Sequence, residues 1–91
     1  MNTENQPKWT HEDCVNYESA RELITHLMAF RSEWISRERA KTAPDLAMIE
    51  RWNAERGAYA AELRGLDVTD RENIARIRRD YGAEIRRLSA A

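Results

Sequence analysis

The chain has 91 residues, of which 15 are basic and 16 acidic, so its formal net charge is −1. This length allows one small domain with a thin core and leaves little room for a deep substrate cleft. A nearly neutral chain has no overall attraction to nucleic acids or anionic membranes. No stretch approaches the roughly 18 apolar residues of a membrane span, and the N-terminus has no apolar run typical of a secretory signal. With Cys14 as the single cysteine, no intrachain disulfide can form, and we expect a soluble, cytoplasmic protein.

Three helix starts are predicted where a threonine is followed, three positions later, by a carboxylate. The pairs are Thr10 with Asp13, Thr42 with Asp45, and Thr69 with Glu72. In such a pair the threonine oxygen accepts from an unpaired N–H of the first turn, and the acid reaches back to the threonine N–H. Only the third pair is a full Thr-x-x-Glu capping box, so it is the strongest of the three matches.

The first helix is predicted over residues 11–41, after a flexible segment of residues 1–9 and at the start of a single helical domain of residues 10–91. On a helical wheel its apolar residues fill an arc of roughly 160°, wider than the roughly 100° stripe of an ordinary surface helix. In angular order they are Phe30, Leu23, Trp34, Leu27, Ala20, Ile24, Tyr17, Ile35 and Met28. So wide a face predicts contact with two neighbouring elements. The polar last turns are expected to extend beyond the core.

The second helix is predicted over residues 43–64, with Pro44 in its first turn, where a missing N–H costs little. Gly65 is expected to end it in the left-handed conformation. The third helix, residues 70–89, has a narrow apolar seam of about 80° on a wheel. Its seam residues are Ile74, Ile77, Tyr81, Ile85 and Leu88.

These patterns predict an all-α fold with three helices in an up-down-up arrangement. The arrangement is either a small bundle or a long first helix crossed by a hairpin of the other two. A dimer that buries the wide face of the first helix is a further alternative.

The candidate chemistry is sparse. His11 and Cys14 lie one turn apart, but a structural zinc site needs four ligands, and His26 lies about four turns away. A cysteine nucleophile would need a base and a cleft, and no motif provides the cleft. The three glycines are isolated, so the sequence has no glycine-rich loop to hold phosphate. We therefore predict a non-enzymatic protein with no catalytic, cofactor-binding or metal-binding residues.

Two arginines and two tryptophans are the candidate partner-binding residues. Arg31 and Arg56 fall within apolar arcs, where a cation is costly unless it is paired or its head reaches solvent. Each could pack its stem within the chain or meet a carboxylate of a partner. Trp34 lies in the arc of the first helix, and Trp9 lies outside the helical pattern, where it could pack onto Cys14 or act as an interface anchor.

The leading hypothesis is a small interaction module that binds and regulates a larger protein through a helical surface, in the manner of bacterial or phage inhibitors and antitoxins. Its partner would be another protein or a second copy of itself, with no membrane and no cofactor. A structural or assembly dimer is one alternative. Nucleic-acid binding by the arginine-rich third helix is another, with candidate residues Arg71, Arg78, Arg79 and Arg86, although the arginines scatter around the wheel.

Overall fold

The computed structural model describes residues 8–90 and contains three α-helices joined by short links. They are α1 (His11–Arg39), α2 (Leu46–Arg64) and α3 (Arg71–Ala90). Helix α1 packs against both others, whereas the backbones of α2 and α3, each described over its whole length, do not come close together. The predicted all-α fold and the two neighbours of the first helix are confirmed.

Contacts near the helix ends give the directions of the three helices. Arg71, the first residue of α3, binds Asp13 in the first turn of α1, so these two helices start at the same end of the molecule. The residue before α2, Asp45, binds Glu38 in the last turn of α1 through its backbone N–H. Helix α2 therefore runs back along α1, and α3 runs forward again, in the predicted up-down-up order.

Helix α1 starts with the capping box that the sequence predicts. The Thr10 hydroxyl accepts from the backbone N–H of Asp13 at 3.1 Å, and Asp13 Oδ2 accepts from the backbone N–H of Thr10 at 2.8 Å. Both bonds satisfy donors that have no partner inside the helix. The shorter acid of this pair is therefore sufficient to complete the box.

The other two predicted capping boxes are wrong. Helix α2 begins at Leu46 with Asp45 as its N-cap, whose Oδ1 accepts from the backbone N–H of Met48 at 3.2 Å. At the start of α3, Asp70 Oδ1 accepts from the N–H of Asn73. Thr69 lies one residue farther from the helix, and its hydroxyl donates to Asp67 Oδ1 at 2.7 Å. In both cases an aspartate closer to the helix took the capping role, as its short acceptor side chain allows.

Gly65 ends α2 at the predicted position but not in the predicted conformation. Its φ is −90° and its ψ is 0°, so it is not left-handed, and its N–H donates to Ala61 O and Leu63 O. Another residue type could therefore adopt this backbone without the strain that a positive φ imposes.

The core lies where all three helices meet. Its fully or almost fully buried residues are Ala20, Ile24, Ile74 and Ile77, and half-buried residues of all three helices surround them. We call this part the three-helix region: residues 13–31 of α1, 55–64 of α2 and 71–84 of α3. The two-helix end comprises residues 34–39 of α1 and 46–52 of α2, where Ile35 and Ile49 are the buried apolar residues.

The last turn of α1 lies beyond the three-helix core, as expected, but it is not free there. Glu38 is only 8% exposed. Its Oε2 accepts from the backbone N–H of Asp45 at 3.0 Å, and its Oε1 accepts from Lys41 Nζ at 2.9 Å. The Asp45 N–H, and secondarily Lys41, lower the pKa of this carboxyl. A charged side chain thus fastens the end of α1 to the start of α2.

Candidate protein-binding surface

A row of aromatic rings follows one side of α1 and crosses to α2 at the two-helix end. His26 stacks on Phe30 with ring centroids 5.2 Å apart, and Phe30 lies 5.9 Å from Trp34. Trp34 in turn lies 5.7 Å from Trp52 of α2. The spacing of four residues places successive rings on adjacent helical turns. Of these four residues, which we call the aromatic row, His26 is exposed and the other three are half-buried.

The row ends in a shallow depression between α1 and α2. Trp34, Trp52 and Met48 supply its apolar surface. Its charged lining residues are Arg37, Glu38, Lys41 and Arg51. Helix α3, which is described from end to end, contributes no lining residue. The depression therefore belongs to the two-helix end and is open to solvent.

Among the residues that line this depression, the three with highly exposed charged side chains are positive. The side chains of Arg37, Lys41 and Arg51 are 74%, 63% and 68% exposed. Each has a carboxylate of this chain nearby: Glu33, Glu38 and Glu55, respectively. Because exposed ion pairs contribute little stability, Arg37 and Arg51 can exchange a neighbouring carboxylate for one from a partner at small cost, and Lys41 Nζ has further donors to offer while it stays bonded to the buried Glu38.

Arg31 lies beneath the aromatic row and holds Trp34 in place. It is 8% exposed, and its guanidinium carbon lies 4.8 Å from the Trp34 ring centroid and 5.1 Å from that of Tyr59. Its Nη1 donates to Leu27 O at 3.4 Å. Its Nε lies 3.5 Å from Glu55 Oε1 but makes no hydrogen bond within the described part of the chain. Contacts of a cation with two ring faces stabilise this arrangement.

The four predicted partner-binding residues do not form one site. Arg31 and Trp34 come together, but Arg56 donates to Ser32 Oγ at 2.9 Å and to Asn53 Oδ1 at 2.6 Å. Ser32 and Trp34 are two positions apart on α1 and so lie on opposite sides of its buried face. Trp9, 40% exposed, lies at the start of α1 beside Cys14 and the α2–α3 link. Binding by any of the four stays a prediction.

Sequence reasoning missed His26, Phe30, Met48 and Trp52 as surface residues. A signal was available for Phe30, because it lies at the edge of the 160° arc of the wheel, next to Leu23 and Trp34. Residues at the edge of an over-wide arc are covered from one side only. Nothing in the sequence shows that Trp52 pairs with Trp34 and keeps one side open, since this depends on where α3 lies.

The four arginines of the nucleic-acid alternative are spread over α3. Arg71 binds Asp13 through two hydrogen bonds of 2.9 and 2.7 Å, and Arg79 binds Asp80 at 2.9 Å. Arg78 and Arg86 are exposed. Residues seven positions apart share a helix direction, so Arg71 pairs with Arg78 in one direction and Arg79 with Arg86 in another. These side chains do not form one continuous basic stripe along a single helix.

His11 is exposed and Cys14 is half-buried in the first turns of α1. Within residues 8–90, no group of three or more histidine, cysteine, aspartate or glutamate side chains is arranged to hold a metal ion. None of the three helices is long and apolar enough to cross a membrane.

Comparison with protein-family models, with curated proteins and with solved structures gives no match to this chain. Its function must therefore be inferred from its own surface.

Proposed function

We propose that this chain is a small, non-enzymatic interaction module that binds and regulates a larger protein through the aromatic row and the depression at its end. The observation that carries the proposal is the pair Trp34 and Trp52, whose rings pack against each other at an interplanar angle of 55° at a part of the molecule that α3 does not cover. Tryptophan and arginine supply a large share of the binding energy at many protein interfaces.

The surface is held ready for binding by contacts within the chain. Trp34 lies against Arg31 on one side and Trp52 on another, and both tryptophans belong to helices. A side chain that is already ordered loses little conformational freedom when a partner docks. An amphipathic element laid across two helices is a common mode of recognition.

The chain would regulate its partner by covering part of the partner's surface. A partner surface that docks on the aromatic row is no longer accessible to substrates or to other proteins. This mode of action needs no reactive group on the chain.

The test is site-specific photo-crosslinking in cells of the organism that encodes the chain. A photo-reactive phenylalanine analogue replaces Met48, which lines the depression, and in a matched control it replaces Ala83, which is exposed on α3. We expect one defined covalent adduct with another protein from position 48 and not from position 83.

A second substitution separates binding from folding. Trp34→Ala, added to the position-48 probe, should abolish the adduct while circular dichroism still shows a helical chain. Equal adducts from positions 48 and 83, or an adduct that survives Trp34→Ala, would contradict the proposal.

A further inference from the structure

The partner's chemistry can be inferred from the charges around the depression. Its three highly exposed charged side chains, those of Arg37, Lys41 and Arg51, are all cations. Its one carboxylate, Glu38, has a side chain only 10% exposed and accepts from both Lys41 and Asp45. A docking segment on these lining residues would therefore meet an apolar floor and the exposed heads of three cations, each with a carboxylate of this chain on another side.

The position of α3 indicates what shape the occupant has. Helix α3 lies beside α1 from the Asp13–Arg71 pair through Ile74 and Ile77, which form the core with residues of α1. Beyond Arg31, α1 continues to Arg39 with α2 still packed against it. A helix placed on the depression would thus give the two-helix end the third helix that the rest of the molecule already has.

We infer that the depression takes an amphipathic, acidic helix of another protein. Its apolar side chains, spaced three and four residues apart, would cover Trp34, Trp52 and Met48, and its flanking aspartates or glutamates would meet Arg37, Lys41 and Arg51. This inference rests on the proposed function, because it names the partner class for the same surface. Charge complementarity of this kind selects among partners and speeds their encounter.

The probe is a pair of fluorescein-labelled synthetic peptides, each of about four helical turns. Both carry leucines on one face; one carries glutamates on the flanks and the other carries lysines at the same positions. Fluorescence anisotropy with the full chain should show that the acidic peptide binds about tenfold or more tightly than the basic one at low salt. The difference should shrink as salt is raised, because salt screens exposed charges.

Charge reversal supplies the matched control. The variant R37E/K41E/R51E should lose the preference for the acidic peptide or invert it. The variant R64E/R78E/R86E makes the same change in net charge at exposed arginines away from the depression and should keep the preference. Trp34→Ala combined with Trp52→Ala should remove binding of the acidic peptide, which would show that the apolar floor takes part.

Several results would overturn the inference. One is failure of the acidic peptide to bind, or equal affinity for the two peptides; another is an equal effect of the two triple reversals. Acidic-peptide binding that survives loss of both tryptophans would show attraction by charge alone. Sedimentation that shows a dimer of the chain, dissociated by R37E/K41E/R51E, would assign the depression to a second copy. If any of these results is found, the acidic partner helix is rejected. The proposed function would still stand if position 48 gives a defined adduct with another protein.

Discussion

The three-helix region and the two-helix end use the same kinds of residue for different purposes. In the three-helix region, Tyr81 donates to Glu62 at 2.7 Å, Arg76 donates to the same carboxylate at 2.8 Å, and Tyr59 meets Tyr81 edge to face at 5.6 Å. At the two-helix end, Trp34 and Trp52 meet each other and keep part of their surface exposed. All four rings are half-buried, so the two regions differ in what the rings contact: Tyr81 is bonded to α2 from α3, whereas Trp34 and Trp52 line a depression to which α3 contributes no residue.

The side-chain network in the three-helix region also compensates for a gap between backbones. Helices α2 and α3 do not approach each other closely, and long side chains such as Glu62, Arg76 and Tyr81 bridge them. Burial is the main reason why the pKa values of Tyr59 and Tyr81 are raised. The side chains of Glu62, Arg76 and Tyr81 thus help to hold α3 against the rest of the molecule.

The largest expected effect comes from comparing two buried isoleucines. Ile77 is 0% exposed in the three-helix region, and Ile49 is 6% exposed at the two-helix end. Truncation of a buried isoleucine to alanine costs about 2–5 kcal/mol, more where the surroundings cannot collapse into the space. Urea unfolding should place Ile77→Ala near the top of this range and Ile49→Ala near the bottom. Equal losses would show that the two regions are equally well packed.

The ion pair between Asp13 of α1 and Arg71 of α3 should make the free energy of unfolding depend on pH. The pKa of Asp13 is held well below its usual range, first by the hydrogen bond from Arg71 and then by the Thr10 N–H. A carboxyl whose pKa is lower in the folded state stabilises the fold at pH values above its pKa in the unfolded chain, about 3.9. This contribution is lost as the pH falls toward the lower folded-state pKa. We expect Asp13→Asn to have a lower urea midpoint than the wild type at pH 7. As the pH is lowered below 4, the wild type loses the contribution of the Asp13 carboxylate, so the difference between the two midpoints should shrink.

Asp80→Asn is the control for this experiment, because Asp80 is exposed and binds its neighbour Arg79. It should change the free energy of unfolding at pH 7 by less than about 0.5 kcal/mol. If the two variants behave alike across the pH range, the link between the starts of α1 and α3 does not stabilise the fold.

The smallest expected effect concerns the start of α2. Asp45→Ala removes the N-cap acceptor of the Met48 N–H and should cost about 0.5–2 kcal/mol. Thr42→Ala, at the position that the sequence pattern favours, should be nearly neutral. Differential scanning calorimetry of the two variants checks the assignment, and the reverse order of stabilities would restore Thr42 as the cap.

Local sequence patterns were sufficient to predict the three helices but not to predict which residue caps the start of α2 and of α3. Apolar residues recur once per turn in all three helices, and that periodicity identifies a helix whatever surrounds it. The choice between Thr42 and Asp45, or between Thr69 and Asp70, depends on which side chain reaches the first free N–H. The spacing of Thr69 and Glu72 does not reveal that Asp70, one residue closer to the helix, supplies the acceptor for the Asn73 N–H.

The candidate site was predictable only in part, for a similar reason. Arg31 and Trp34 stood out because a cation and a tryptophan share the apolar arc of α1. Their neighbour Trp52 and the cations Lys41 and Arg51 join them only when α2 folds back. Arg56 stood out on the same grounds as Arg31, yet it binds Ser32 on the other side of α1.

The sequence by itself determined that the chain forms three helices, that the first has a face wide enough for two neighbours, and that helical spacing aligns Phe30 with Trp34. Tertiary structure alone decided which part of that wide face α3 covers and which part stays open beside Trp52. The physical reason is that periodicity is a property of one helix, whereas coverage depends on where a second and a third helix end.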